Sequence, residues 1–390
     1  MTETPLDICL LSPGLAHHGG TLSEKSLGGS ETAAIHIAKS LVARGHFVTV
    51  FSPGHTGGQY DGVTYLPIEQ FVPYASNTAH DVTIISRDVN FLPVPFPSKM
   101  VVFWCHDLAL KRNLGGLAPG LWNVQRIYLM SQWQRQQYES VFNTIPPECF
   151  HVTRNGVDLP ALQAVVKTAG PRDPKRFVYG SRPERGLDTA LNVMAELARR
   201  QSSAYLEVAW YDNMPPHMEP YYRELWARAQ TMPNVRLLGP LKQADWHARL
   251  ATARAVLYPG AIGQNAAFRE ISMIIALEAL AVGTPVIAVA KGAVPETLAG
   301  IGRLIGDETT DCSSLAHVQA MATAVEELMV NHFEWQGLHR NALERGQTVG
   351  WDAVAAEWEA DWLRFLAERH SNPWRVERHL RRIGDLDALP

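Results

Sequence analysis

Residues 268–289 read FREISMIIALEALAVGTPVIAV, a predicted helix that ends near a glycine and is followed by a short apolar strand. A helix followed by an apolar strand is the repeating unit of a parallel sheet that is covered on both faces. Two glutamates interrupt the apolar pattern, Glu270 and Glu278, separated by just over two helical turns. If Ser272 opens the helix, Glu270 lies in the preceding loop and Glu278 lies inside the helix.

A carboxylate on an apolar helix requires a polar partner. The vicinal hydroxyls of a ribose can donate two hydrogen bonds to one carboxylate, and the free amides at a helix start can hold a diphosphate. Those amides belong to Ser272, Met273 and Ile274. The stretch therefore predicts a nucleotide site. The alternative is a salt-bridged pair on a core helix, against which the following Gly-Thr-Pro-Val argues.

Strands and helices alternate in both directions from this stretch. The predicted strands are residues 8–11, 47–51, 82–85, 100–104, 127–130 and 150–152 in the first half, and 176–179, 206–209, 235–238, 255–258 and 286–289 in the second. An amphipathic helix with Ala33, Ile37 and Leu41 on its apolar face follows the first strand. This alternation predicts two doubly wound α/β units in tandem.

The linker between the two units is predicted from Leu159 to Lys175, where proline and glycine recur. The domains are then residues 1–160 and 161–350. A Trp-rich stripe that starts at Trp351 predicts a long helix within residues 351–390. Beyond it, a short basic helix from Arg375 to Arg382 could touch an anionic membrane surface or a charged acceptor, although such helices are more often only solvated.

The composition of the 390-residue chain excludes several classes of protein. With 46% hydrophobic and 19% charged residues the chain is not disordered, and a formal charge of -4 argues against a nucleic-acid partner. Its N-terminus lacks the pattern of a signal peptide, and no apolar run approaches the roughly 20 residues of a membrane span. Four scattered cysteines, without CxxC spacing, predict free thiols and a cytoplasmic location.

A glycine-rich turn, Leu27-Gly28-Gly29-Ser30-Glu31, lies between the first strand and its helix. Glycines at Gly28 and Gly29 allow the backbone to approach a phosphate at the helix N-terminus, and Ser26 or Ser30 could cap that helix. The spacing matches neither the dinucleotide fingerprint nor a phosphate-binding loop that ends in Gly-Lys-Ser/Thr. A plain glycine-rich turn is an equally good interpretation of this segment alone.

Two further motifs follow predicted strands, at the edge of the sheet where ligands bind in α/β proteins. His106, followed by Asp107, can hydrogen-bond a sugar hydroxyl or act near a reacting centre, unless Asp107 only caps a helix. Arg182 and Arg185 lie in the turn after residues 176–179, where two guanidinium groups can clamp a diphosphate. The alternative for this turn is a solvated basic loop.

In their order along nearly the whole chain, these motifs resemble the retaining glycosyltransferases of family 4. The resemblance includes the Arg-x-x-Arg-Gly-Leu turn and the Glu-x7-Glu stretch followed by Ala-Leu-Ala-Val-Gly-Thr-Pro-Val. It also includes Asn155-Gly156-Val157-Asp158, residues 233–239, and Glu296. One departure is that Ile271-Ser272-Met273 replaces the Gly-Phe-Gly that is common in the family.

The resemblance implies a GT-B fold, with two Rossmann-like domains that face each other across a cleft. The N-terminal domain would receive the acceptor, and the C-terminal domain would hold a nucleoside diphosphate sugar. The long C-terminal helix would cross back to the N-terminal domain.

Each motif then has an implied role. Glu270 would hold the hydroxyls of the donor sugar and Glu278 the ribose, while Arg182 and Arg185 would neutralise the diphosphate. His106 would lie near the transferred sugar, and Gly28 and Gly29 would face the phosphate. His106, Glu270 and Arg185 are thus the predicted catalytic residues.

The implied reaction is transfer of a hexose to an acceptor hydroxyl with retention of anomeric configuration, and without a metal cofactor. The acceptor is a glycan, a lipid or a small molecule. Two alternatives are a sugar-nucleotide epimerase or hydrolase on the same architecture, and a partner-binding protein on a decayed glycosyltransferase fold. Because both glutamates and both arginines are present, decay is the weaker alternative.

Overall fold

The computed structural model describes residues 4–109, 117–143, 145–210 and 215–371. Within these ranges the chain divides into two compact units. The first comprises the described residues of 1–21, 28–156 and 351–390, and the second comprises residues 22–27 and the described residues of 157–350. The basic segment from Arg375 to Arg382 lies outside the described residues.

The first unit contains a sheet of eight described strands in the order β3-β4-β2-β1-β5-β6-β7-β8. Its strands are β1 (Asp7–Leu11), β2 (Phe47–Ser52), β3 (Gly58–Tyr60), β4 (Val63–Pro67), β5 (Val82–Ser86), β6 (Met100–Cys105), β7 (Arg126–Leu129) and β8 (Phe150–Val152). All neighbours pair in parallel except β3 and β4, which pair antiparallel at one edge.

The second unit contains a parallel sheet of six described strands in the order β11-β10-β9-β12-β13-β14. Its strands are β9 (Arg176–Tyr179), β10 (Tyr205–Trp210), β11 (Val235–Pro240), β12 (Ala255–Tyr258), β13 (Val286–Val289) and β14 (Arg303–Ile305). Alternate residues of one strand enter different apolar clusters: Phe177 and Tyr179 pack in one, Val178 in the other. Both faces of this sheet are therefore covered, which explains its near-continuous apolar strands.

The helices of the described ranges connect these strands. They are α1 (Thr21–Glu24), α2 (Gly29–Ala43), α3 (Phe71–Ala75), α4 (Gln132–Val141), α5 (Leu159–Thr168), α6 (Leu187–Arg199), α7 (Glu219–Gln230), α8 (Gln243–Ala251), α9 (Ile274–Ala281), α10 (Val294–Leu298), α11 (Leu315–Val330), α12 (His332–Gly346) and α13 (Trp351–Ser371). None of them is long and apolar enough to span a bilayer.

The predicted linker from Leu159 to Lys175 is wrong over its first ten residues, which form α5. Asp158 caps this helix, because its side chain accepts a hydrogen bond from the Ala161 amide at 3.1 Å. Pro160 lies in the first turn, where its missing amide proton costs nothing. The proline that suggested a linker is thus a helix-start signal.

The long helix α13 belongs to the first unit and is held there by polar and aromatic contacts. Trp358 Nε1 donates to Thr153 Oγ1 at 2.7 Å, and the Trp358 ring meets Trp104 edge-on at 4.9 Å between centroids. Tyr128 donates its hydroxyl proton to Asp361 at 2.7 Å. The Trp-rich stripe therefore forms the packing face of this helix.

All four cysteines are buried and free of disulfides, in agreement with the prediction of free thiols.

Candidate active site

The strand order of the second sheet places side by side the two loops that contain the Arg185 and Glu270 motifs. Strands β9 and β12 are neighbours, and the chain leaves them toward opposite sides of the sheet, to β10 and to β13. Ligands of doubly wound sheets bind at such a switch point, beyond the carboxyl ends of the strands. The loop after β9 carries Arg185, and the loop after β12 carries Glu270.

The carboxylate of Glu270 is buried at this point and has two partners. Tyr258, the last residue of β12, donates its hydroxyl proton to Glu270 Oε1 at 2.6 Å. Arg185 Nη1 lies 3.5 Å from the same oxygen. Burial and the neighbouring carboxylate raise the pKa of Tyr258 well above its usual value, so this phenol stays a donor. Both contacts use Oε1, so Oε2 is the oxygen that these partners leave for a ligand.

The backbone of Glu270 is fixed by the loop after β13. The Ala293 amide donates to the Glu270 carbonyl at 2.8 Å, and Gly292 adopts a φ of +60° beside it. A Cβ on Gly292 would lie 2.5 Å from the Glu270 carbonyl oxygen. Only glycine therefore allows this close approach.

Arg185 lies in a tight turn that begins at Arg182. Its guanidinium lies 5.0 Å from the centre of the Phe268 ring, within the range of a cation–π contact. The next residue, Gly186, has a φ of +134°, and a Cβ there would lie 2.8 Å from the Gly260 carbonyl oxygen. The turn is thus pressed against the β12 loop, which places Arg185 beside Glu270.

Arg182 has different surroundings. Its Nε lies 3.1 Å from Glu184 Oε1, and the same carboxylate accepts a hydrogen bond from the Tyr222 hydroxyl. The structure brings Arg185, and not Arg182, to Glu270. The prediction that both arginines clamp one diphosphate remains a prediction, with Arg185 in the better position.

Glu278 lies inside α9, and its carboxylate is close to two side chains of another helix. Trp246 Nε1 donates to Glu278 Oε2 at 2.9 Å, and His247 Nε2 lies 3.5 Å from Oε1. The Trp246 ring packs against Gly180, where a Cβ would lie 2.3 Å from the ring. A polar partner for this carboxylate was expected from its apolar helix, and Trp246 of α8 supplies it. His247 of the same helix lies close by without a hydrogen bond.

The start of α9 differs from the prediction. The helix begins at Ile274, with Met273 as the N-terminal capping residue and without a side-chain cap, so Ser272 does not open it. Ser272 and Met273 are both buried. Glu270 lies in the loop and Glu278 in the helix as expected. The first amides of the helix still have no acceptor within it.

In the first unit, the glycine-rich turn forms the start of α2. Gly28 is the capping residue, without a side-chain cap, so neither Ser26 nor Ser30 caps this helix. Instead Ser30 donates to Glu31 Oε2 at 3.0 Å, and a Cβ on Gly28 would lie 2.5 Å from that oxygen. A glycine at position 28 is therefore needed to make room for the buried Glu31 carboxylate. That Gly28 and Gly29 face a phosphate stays a prediction.

His106 lies just beyond β6, against the Trp104 ring at 4.4 Å. Its Nε2 is buried and has no hydrogen-bond partner among the described residues. Burial and the nearby Arg87 guanidinium lower the pKa of His106 to about 3. The ring is therefore neutral near pH 7 and can exchange hydrogen bonds with a ligand without carrying charge.

Arg87 was not predicted from the sequence, although it lies at the switch point between β1 and β5. It adopts a φ of +63°, which non-glycine residues seldom do. Its guanidinium pairs with both oxygens of Asp107 at 3.1 and 3.2 Å, and donates to Ser30 at 3.2 Å. Asp107 is thus an ion-pair partner of Arg87. Residues 110–116 lie outside the described ranges, so the alternative that Asp107 caps a helix stays a prediction. For Arg87, the one available signal was its position directly after an apolar strand.

Within the described ranges, no group of three His, Cys, Asp or Glu side chains is arranged to hold a metal ion.

Comparison with solved structures identifies the fold. A sucrose-phosphate synthase from Thermosynechococcus elongatus is similar to the chain with a TM-score of 0.70 and 16% identity, over 92% of this chain and 99% of that one. HepE from Anabaena, in complex with UDP-glucose, has a TM-score of 0.68 and 16% identity, over the same shares. WaaG, a glycosyltransferase of lipopolysaccharide biosynthesis, has a TM-score of 0.61 and 15% identity, over 90% and 98%. These likenesses show a GT-B fold.

Residues 174–331 match the family model described as glycosyl transferases group 1. The fold is thus that of GT-B enzymes, and the family match is to glycosyl transferases over that part of the chain. The match falls within the second unit and confirms the resemblance that its motifs indicated. The search of curated proteins gave no match.

Proposed function

We propose that the protein transfers a hexose from a nucleoside diphosphate sugar to an acceptor hydroxyl with retention of anomeric configuration. The observation that carries this proposal is the buried Glu270 carboxylate, held by Tyr258 and Arg185 where two loops meet at a switch point. A fixed carboxylate beside a cation suits a donor whose sugar offers hydroxyls and whose leaving group is a diphosphate.

The donor class is supported by what the similar proteins bind. The Anabaena HepE structures contain UDP, UDP-glucose, or UDP and glucose, and a starch synthase from Arabidopsis thaliana contains ADP and acarbose. Nucleoside diphosphates are common to these relatives, whereas the base varies. We therefore propose that the donor of this chain is a nucleoside diphosphate sugar, and we do not choose a base. The acceptor is a glycan, a lipid or a small molecule.

Each group in the site has a proposed task. Glu270 accepts hydrogen bonds from hydroxyls of the donor sugar, and Glu278 accepts them from the ribose. Arg185 and the first amides of α9 stabilise charge on the departing diphosphate. Arg182 contributes less, because Glu184 already holds it. A phosphate oxygen of the leaving group takes the acceptor proton, so no side-chain nucleophile is assigned.

In the first unit, His106 Nε2, which has no hydrogen-bond partner among the described residues, is proposed to hydrogen-bond the transferred sugar. We place the reaction in the cytoplasm, where four buried thiols stay reduced.

The product decides between transfer and the alternatives. A proton NMR time course with the donor and candidate acceptors should show a new glycoside whose anomeric configuration equals that of the donor. Donor consumption without a glycoside would indicate a hydrolase or an epimerase instead. Donor binding without any turnover would indicate a partner-binding protein.

Gly180→Ala should weaken nucleotide binding, although Gly180 itself touches no ligand in this account. The new methyl group would overlap the Trp246 ring and displace the indole that donates to Glu278. Loss of one hydrogen bond to a charged group corresponds to about a tenfold rise in the Kd of the nucleoside diphosphate, measured by isothermal titration.

The matched control is Gly337→Ala, at a helical glycine with open space around its Cα. It should stabilise the fold by about 0.5–1 kcal/mol and leave the Kd unchanged. Wild-type affinity in Gly180→Ala would show that Trp246 does not support the nucleotide site.

Turnover should survive exhaustive chelation of divalent metals. The motivation is that Arg185 supplies positive charge at the place proposed for the diphosphate, a task that Mg²⁺ or Mn²⁺ performs in metal-dependent enzymes. The measurement compares initial rates with excess chelator and after metal is added back. A rate that collapses with chelator and returns with Mg²⁺ or Mn²⁺ would contradict this part of the proposal.

A further inference from the structure

The pocket around Glu270 contains a second cationic side chain. Its wall includes Arg185, Tyr258, Phe268, Glu270 and Lys291, and its empty volume is about 290 Å³, open solvent included. Lys291 lies two residues after the end of β13 and is half-buried. The two residues after it are Gly292 and Ala293, whose backbone fixes Glu270. Lys291 therefore lies on the Glu270 side of the pocket.

The charges of this pocket do not cancel. Arg185 and Glu270 face each other at 3.5 Å and offset one another. Among the residues that the structure describes, no carboxylate lies within 4.0 Å of the Lys291 ammonium. Nearby, Glu308 already binds Arg269 and the Gly292 amide. Asp311 accepts the Ser313 hydroxyl at 2.6 Å, and it is near enough for the Lys291 charge to help lower its pKa, but it makes no contact with the ammonium within 4.0 Å. The pocket thus has one positive charge in excess.

The Lys291 ammonium interacts with the Cys312 thiol, close to the pocket that Lys291 lines. Cys312 packs behind Gly260, where a Cβ would lie 2.7 Å from its sulfur, and Gly260 lines the pocket. Burial raises the pKa of the Cys312 thiol, and the Lys291 ammonium nearby works against that rise. Among the described residues, this half-buried ammonium has no carboxylate in direct contact to offset its desolvation.

We propose that Lys291 binds a negatively charged group on the transferred sugar, so that the donor is a nucleoside diphosphate hexuronic acid. This inference rests on the proposed function, in which Glu270 holds the donor sugar. A sugar carboxylate would supply the missing counter-ion through a charge-assisted hydrogen bond. A neutral hexose would leave Lys291 without an anionic partner in this pocket. The anionic oxygens could also come from the diphosphate, so the test separates these two sources.

The test uses Lys291→Met, Lys291→Arg and, as a matched control, Lys175→Met, an exposed lysine of the same unit. For each protein, kcat/KM is measured with UDP-glucuronic acid and UDP-glucose, or with the matching pair on the preferred base. Wild type should prefer the uronic acid by about tenfold or more. Lys291→Met should abolish that preference, Lys291→Arg should keep most of it, and Lys175→Met should behave as wild type.

Titration with the bare nucleoside diphosphate distinguishes the two anions. If the sugar carboxylate is the partner, the Kd of the nucleoside diphosphate changes less than twofold in Lys291→Met. An increase in that Kd as large as the loss of uronic acid use would assign Lys291 to the diphosphate and overturn the inference. Wild-type preference for the neutral hexose would also overturn it, with the proposed function intact. If no nucleotide sugar binds, the proposed function fails, and the inference fails with it.

Discussion

Glu270→Gln is expected to lower kcat by a factor on the order of 100, while the Kd of the bare nucleoside diphosphate stays within about twofold of wild type. The transferred sugar gains positive charge as its bond to the diphosphate breaks. A buried carboxylate stabilises that positive charge more in the transition state than in the ground state, because its buried surroundings screen the attraction poorly. The amide has the same shape and its Oε1 can still accept the Tyr258 hydroxyl, so the fold should be preserved.

Glu278→Gln is the comparison for this prediction. The ribose lies away from the breaking bond, so its contacts are similar in the ground and transition states. This substitution should raise KM for the donor and weaken binding of the bare nucleoside diphosphate, with a smaller effect on kcat. The opposite pattern, in which Glu270→Gln loses nucleotide affinity and Glu278→Gln keeps it, would reverse the two roles. If neither variant changes, the pair is structural.

Arg185→Ala is expected to weaken nucleoside diphosphate binding by roughly tenfold to a hundredfold, since a hydrogen bond to a charged group is worth about 1.5–3 kcal/mol. It also removes the cation that faces Glu270 at 3.5 Å. The activity should therefore fall more than the affinity. Isothermal titration with the nucleoside diphosphate, beside donor kinetics, separates the two effects.

Arg182→Ala is the control for the same turn. Because Arg182 is paired with Glu184, its loss should cost less affinity than the loss of Arg185. Equal affinities for wild type and both variants would show that the turn is only a solvated basic loop. A larger loss in Arg182→Ala would show that Glu184 releases Arg182 to the ligand.

Most strands of the two sheets were predictable because they are buried on both faces. Strands β9, β12 and β13 begin and end as their apolar runs predicted. Strands β3, β4 and β14 were missed. Strand β3 is largely exposed and β14 is only half-buried. A strand that buries little apolar surface carries no continuous apolar run, so the sequence offers no signal for it.

Residues of the site were predictable only where they belong to a recognisable sequence motif. Glu270 and Arg185 were identified from their motifs, and the structure places them together. Tyr258 and Trp246, which hold the two glutamates, come from other elements, and their contacts follow from the strand order and not from local spacing. Lys291 was missed for the same reason, because a single lysine after a strand is indistinguishable from a solvated one.

The central claim is that the second unit holds a nucleoside diphosphate sugar beside Glu270 and Arg185. The most direct measurement is the melting temperature of the protein with a series of nucleoside diphosphates and their sugars, because a ligand that binds only the folded state must raise it. We expect a rise with one base, at a stabilisation of about 2.7 kcal/mol at a hundredfold excess over Kd, and a smaller rise for Arg185→Ala at the same concentration. No rise with any nucleoside diphosphate or nucleotide sugar would contradict it.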